Sequence, residues 1–188
     1  MARNDQKRAT AYHEAGHAVI GRVLGMTCGG ATILPDYDEG IAGHSISRDE
    51  RSIADWECRG RSRWVSMFRA RIMMLMAGRE SEIECFGRGE TAVFGDGNDL
   101  REIYLTISEA DVPDEAFLAR LRVKTRGLVR RHRRAITQVA AALMKHGSLD
   151  EQQIDAIVTA SGVRLVERVD PQSVTFEEQY ARARAWAT

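Results

Sequence analysis

The chain has 188 residues, 27 Lys plus Arg balanced by 27 Asp plus Glu, and 44% apolar content. One domain of that size buries about 70% of its extended-chain surface, so no disulfide or structural metal is needed to staple the core. Three cysteines far apart (Cys28, Cys58 and Cys85), with no C-x-x-C pair, exclude a disulfide framework and imply a reducing, cytoplasmic setting.

The first predicted element is a helix from about Asp5 to Leu24. No proline interrupts it, and Ala9, Tyr12, Val19, Val23 and Leu24 recur at helical rather than alternating spacing. Gly25 and the Cys28-Gly29-Gly30 segment end it. On this helix lies His13-Glu14-Ala15-Gly16-His17, an H-E-x-x-H pattern whose spacing is dictated by metal chemistry. Residues four apart stand one turn above each other, so both imidazoles reach one zinc ion at ~2.0–2.1 Å, with Glu14 placed as general base for a water. Gly16 and Ala18 remove bulk beside the imidazoles, which suits close packing against another element at that level.

Zinc hydrolases ordinarily use three protein ligands and leave a fourth position to water. The metzincin continuation is excluded, because Ile20 and Val23 stand where its Gly and His belong. The third ligand is therefore distant. Glu80, Glu82 and Glu84 in one segment, Asp96 and Asp99 in another, and His44 are the candidates, and spacing does not choose among them.

Ala31 to Leu34 and Ile41 to Ile46 form two β-like runs around a Pro35-to-Gly40 turn, which predicts a small antiparallel hairpin. Such an edge can hold an extended polypeptide as an added strand, which makes Ile33, Gly43, His44 and Ser45 the candidate substrate-binding residues. Ser47 to Glu50 reads as a capping box opening a helical stretch. Trp64, Phe68, Ile72, Leu75 and Met76 give a second helix its buried face, and Met73, Met74 and Met76 fill core. The longest wholly apolar run, Ile72 to Ala77, is well short of the ~20 residues of a membrane span.

Leu100, Ile103, Tyr104 and Ile107 predict a further helix with an apolar stripe. From Pro113 to His146 a long helical region follows, with an expected break near Gly127. Ser148 to Glu151 is a second capping-box match. The basic residues Arg120, Arg122, Lys124, Arg126, Arg130, Arg131, Arg133 and Arg134 read as a solvated helix face. With zero net charge and no aromatics in that block, nucleic acid is not the expected partner. After Gly162 the chain is polar, though Phe176, Tyr180 and Ala183 can form one face of a docking helix. These signals divide the chain into a domain over residues 1–162 and a tail over 163–188.

Three blocks, Ala11-Tyr12-His13-Glu14-Ala15-Gly16-His17-Ala18-Val19, Met76-Ala77-Gly78-Arg79 leading to Phe86-Gly87, and Gly97-Asn98-Asp99-Leu100, resemble in wording, order and separation the peptidase domain of FtsH-type AAA zinc proteases. The resemblance runs over roughly residues 5 to 160. It implies a mainly helical zincin-type domain with a small β hairpin near residues 31–46, Zn²⁺ as cofactor, His13, His17 and Asp99 as ligands, and Glu14 as base. Glu80 and Asp96 stand where that family has small residues, and Gly97 replaces a Ser, so Asp96 rivals Asp99. The apolar stripe that fixes Asp99 at a helix start favours Asp99. Glu82 is expected as an outer carboxylate holding an imidazole.

The family's ATPase domain and membrane anchor have no counterpart in this sequence, and no G-x-x-x-x-G-K-[ST] loop is present to bind ATP. The expectation is a stand-alone zinc endopeptidase acting on unfolded polypeptides, as a homo-oligomer or with an ATPase partner encoded separately. The alternative is a binding or adaptor protein on the same fold.

Overall fold

The computed structural model describes residues 2–26, 28–34, 44–46, 61–87, 96–109 and 115–165. In chain order these form α1 (Ala2–Val23), β1 (Gly30–Thr32), β2 (His44–Ile46) and α2 (Arg61–Ser81), which runs on into a π-helical turn (Glu82–Phe86). Then come α3 (Asp96–Glu109), α4 (Glu115–Arg131), α5 (Arg133–His146), β3 (Ser148–Asp150) and α6 (Glu151–Ala160). The architecture is mainly α, as expected from the sequence.

α1 is the central element, packed against α2 on one side and α5 on another. Its apolar residues Ala11, Ala15, Val19 and Ile20 are buried with Ile136, Val139 and Leu143 of α5 and Ile154 and Val158 of α6 in the main core. A smaller cluster joins Ile72, Met73 and Met76 of α2 to Ile103 of α3 and Leu121 of α4. Met73, Met74 and Met76 are all buried. The end of α1 is set by Gly25 at φ 81°, a left-handed conformation that lets the Met26 N–H return to the Gly21 carbonyl at 2.9 Å. Arg22, buried near that end, donates to both carboxylate oxygens of Asp155 on α6 at 2.6 and 2.7 Å and to the Met26 carbonyl at 2.8 Å, which fastens α6 to α1.

The β1–β2 pair is antiparallel, with Ala31 opposite Ser45, as the hairpin signal predicts. A third strand, unmarked in the sequence pattern, completes the sheet. β3 pairs antiparallel with the other side of β1, giving the order β2-β1-β3. Ser148 therefore belongs to a strand and does not open a capping box with Glu151. The box sits two residues later, where Asp150 accepts from the Gln153 N–H at 2.8 Å and the Gln153 side chain accepts from the Asp150 N–H at 2.9 Å.

Two further expectations are corrected. The helix break lies at His132, between α4 and α5, and Gly127 is inside α4, because one exposed glycine costs a helix only about 1 kcal/mol when its neighbours are buried along one face. The stripe on α3 is narrower than its spacing suggests, since Ile103 is buried but Tyr104 is 63% exposed. The Ser47-to-Glu50 capping box, Cys58 and residues 166–188, including Phe176, Tyr180 and Ala183, lie outside the described residues. Val163 and Leu165, at the start of the expected tail, pack on the main core. Cys28 and Cys85 are both buried, and burial pushes the Cys85 thiol up to about 11. No helix among the described residues is long and apolar enough to cross a membrane.

The glycines of α1 and α4 predict opposite effects of the same change. A Cβ on Gly127 would meet nothing within 4 Å, whereas one on Gly16 would run into the Ser81 hydroxyl and lie 2.5 Å from the Ala77 carbonyl oxygen. Gly127→Ala should stabilise by about 0.5–1 kcal/mol, and Gly16→Ala should destabilise by about 1–3 kcal/mol. Urea titration of both variants checks the signs.

Candidate metal centre

The close approach of α1 and α2 at Gly16 continues one residue on. His13 and His17 project from α1 toward Gly78 of α2, where an added Cβ would stand 2.7 Å from His13 Nε2 and 2.5 Å from His17 Nε2. Both rings are buried, in an edge-to-face arrangement with centroids 4.6 Å apart. α3 brings the third group in its first turn: Asp99 Oδ2 lies 2.9 Å from His13 Nε2 and 3.1 Å from His17 Nε2. The three side chains offer donor atoms that all lie within 4.8 Å of one another.

The far side of each ring is fixed as well. His13 Nδ1 is 2.8 Å from Glu82 Oε1, and His17 Nδ1 is 2.8 Å from the Met74 carbonyl oxygen. In the neutral tautomer protonated at Nδ1, each ring donates outward to those acceptors and turns an Nε2 lone pair toward the same small space. Glu82 reaches His13 because α2 widens there into a π-helical turn, closed by Gly87 in the left-handed conformation at φ 82°.

Charge in the cluster is one-sided. Glu14 and Glu82 are buried and Asp99 nearly so, so three carboxylates surround two imidazoles. Burial works against a charged His13, but Asp99 and Glu82 outweigh it and raise the ring to about 10. His17 is raised too, burial again being overcome by Asp99. Burial alone would favour neutral Asp99, yet the facing His17 and His13 hold its carboxyl well below the usual carboxylate range. A field that holds positive charge on two imidazoles suits a dication in the same place. The donor set of two imidazole nitrogens and one carboxylate oxygen, and the space kept clear by Gly78, fit zinc.

Of the residues singled out from the sequence, His13, Glu14, His17, Glu82 and Asp99 come together here. Glu80 and Glu84 do not: they face α4, where Glu80 is 2.7 Å from Arg126 and Glu84 accepts two bonds of 2.8 Å from Arg130. Part of the basic block is thus an ion-pair face and not simply solvated. Among the described strands, His44 and Ser45 lie on β2, at one edge of the sheet. Ile33 is buried in the core with its N–H bonded to the Gly147 carbonyl at 2.8 Å. Gly43 and the Asp96 side chain lie outside the described residues. Sequence reasoning missed Gly78 as the floor of the site, although it stands in one of the three family-like blocks. The Met74 carbonyl, a backbone group, has no signature in the sequence at all.

Two imidazoles on one helix and a carboxylate from another define a candidate metal centre of the three-ligand type that hydrolytic zinc sites use. No protein-family model matches the chain. It is similar to a protein described as ATP-dependent zinc metalloprotease FtsH 4 of Sorangium cellulosum (strain So ce56), 23% identical over 237 aligned positions. That alignment covers 95% of this chain and 33% of that protein, so the chain spans about a third of the length of the relative it matches. At that distance the likeness supports a peptidase-related reading at most.

The floor of the site is directly testable. Gly78→Ala should remain folded by circular dichroism yet fail to retain stoichiometric zinc after dialysis, because the methyl takes the space beside both Nε2 atoms. A variant that holds zinc as tightly as the parent would show that a metal does not use that face of the rings.

Proposed function

We propose that the protein is a zinc-dependent peptidase that hydrolyses extended or unfolded polypeptide. The observation that carries the reading is the convergence of His13 Nε2, His17 Nε2 and Asp99 Oδ2 beside the buried carboxylate of Glu14. His13, His17 and Asp99 would hold the metal. Zinc, when bound, supplies a Lewis acid that polarises a carbonyl and makes water a better nucleophile near neutral pH.

The chain's own residues supply the rest. Glu14 sits between the two ligands in sequence and close enough to both rings for its charge to raise them. As a carboxylate it accepts the proton of the attacking water and can return it to the leaving amine. Glu82 and the Met74 carbonyl keep each imidazole in the tautomer whose Nε2 lone pair faces the site. Burial of both rings limits bulk water around them.

Substrate placement follows from the sheet. Among the described strands β2 (His44–Ile46) is at the edge in the order β2-β1-β3, and an extended peptide can add to its outer side by main-chain hydrogen bonds. His44 and Ser45 fit that role. With its side chain in the core and its N–H occupied, Ile33 would support the strand from behind. Addition by backbone bonds favours chains that are already unfolded, since a folded substrate must first open.

Glu14→Gln separates an enzyme from a binder. The amide fills the same space but cannot accept a proton, so zinc content should stay at one per chain while cleavage of casein falls by roughly 10²–10⁴-fold. A zinc-loaded parent protein that leaves casein and a broad peptide library intact would instead favour a binding or adaptor role for this fold.

A further inference from the structure

The π-helical turn that aims Glu82 at His13 is gripped from its other side. Glu80 lies in the last turn of α2 and Glu84 in the π-helical turn, so the two carboxylates flank Glu82 in sequence and straddle the change in helix type. Both face α4. Arg126 Nε donates to Glu80 Oε2 at 2.7 Å and stands 3.6 Å from Glu84 Oε1. Arg130 holds Glu84 through two bonds of 2.8 Å, and Arg122 lies 3.8 Å from Glu80. Arg122, Arg126 and Arg130 are spaced four apart, one above another on α4.

Glu80 is 1% exposed, so its charge is compensated by these arginines and not by water. A π-helical turn within an α-helix is a local departure from the favoured ladder and needs outside contacts to fix its direction. Arg126 reaches carboxylates on both sides of the join. Glu82 stands between them and turns the opposite way, toward α1, to meet His13 at 2.8 Å.

We propose that Arg126 is a positioning residue for the metal centre: by bridging Glu80 and Glu84 it fixes the aim of Glu82, and through Glu82 the orientation of the His13 ring. The proposal rests on the reading of His13 as a metal ligand. It extends the site to α4, two contacts beyond the ligand. An outer hydrogen-bond partner typically changes metal affinity by about 10–100-fold, so a residue acting through that partner should change it by roughly 3–10-fold.

The test uses the full chain loaded with zinc or cobalt(II). Arg126→Gln should weaken zinc binding by roughly 3–10-fold and shift the cobalt(II) visible absorption bands, which report ligand geometry. Because Arg126→Gln strands the buried Glu80 carboxylate and can unfold the protein, a Glu80→Met/Arg126→Met double variant removes the bridge without leaving a lone charge. It should keep a parent-like melting curve and still show the spectral shift. Asp150→Ala, which removes the capping box of α6 away from the site, serves as the control: it lowers the melting temperature and leaves the cobalt spectrum unchanged. Parent-like affinity and spectrum in the double variant overturn the role of Arg126 while leaving the metal centre standing. A parent protein that takes up neither zinc nor cobalt overturns the metal reading, and the proposal with it.

Discussion

The approach of α1 to α2 is the constraint on which the rest of the structure depends. Gly16 lets the backbone of α1 come against Ala77 and Ser81, and one step along, Gly78 leaves a space that the His13 and His17 rings enter from the opposite helix. With ordinary side chains at those two positions the helices would stand farther apart. The imidazoles would then lose both the Met74 carbonyl and Glu82 as outer partners, because each of those bonds is already at normal hydrogen-bond length. The main core on the other side of α1 holds the helix in that position, with α5 and α6 buried against it.

Electrostatics and packing agree at the site. Buried charges are costly unless paired, and here Glu82 is set on His13, Asp99 on both imidazoles, and Glu80 on Arg126, each within ordinary bonding distance. Asp99 also sits in the first turn of α3, where the helix dipole favours a carboxylate. α3 and the π-helical turn therefore bring acidic groups to α1 from two directions, and α4 supplies cations behind them.

The sequence made much of this legible, for identifiable reasons. The four-residue spacing of His13 and His17 carries its own geometry, because a helix turns a sequence interval into a direction in space. The usual need of a metal-binding imidazole for an outer carboxylate points to Glu82, and apolar spacing puts Asp99 at a helix start; both side chains stand beside His13. What could not be read depends on contacts between distant segments. β3 is three residues long and pairs with β1 more than a hundred positions away, so local pattern favoured a helix cap at Ser148. The break at His132 has no proline or glycine to mark it, while Gly127 offered a false marker. From the sequence Arg126 reads as one more solvated cation, because only the packing of α4 beside Glu80 gives it a buried partner.

In the proposed site one zinc ion is held by His13, His17 and Asp99. X-ray absorption spectroscopy at the zinc edge on the reconstituted protein addresses it most directly. Only nitrogen and oxygen neighbours are expected around the zinc, at ~2.0–2.2 Å, with multiple-scattering features of two imidazoles. A sulfur shell at ~2.3 Å, a single imidazole, or a protein that leaves reconstitution without stoichiometric zinc would contradict it.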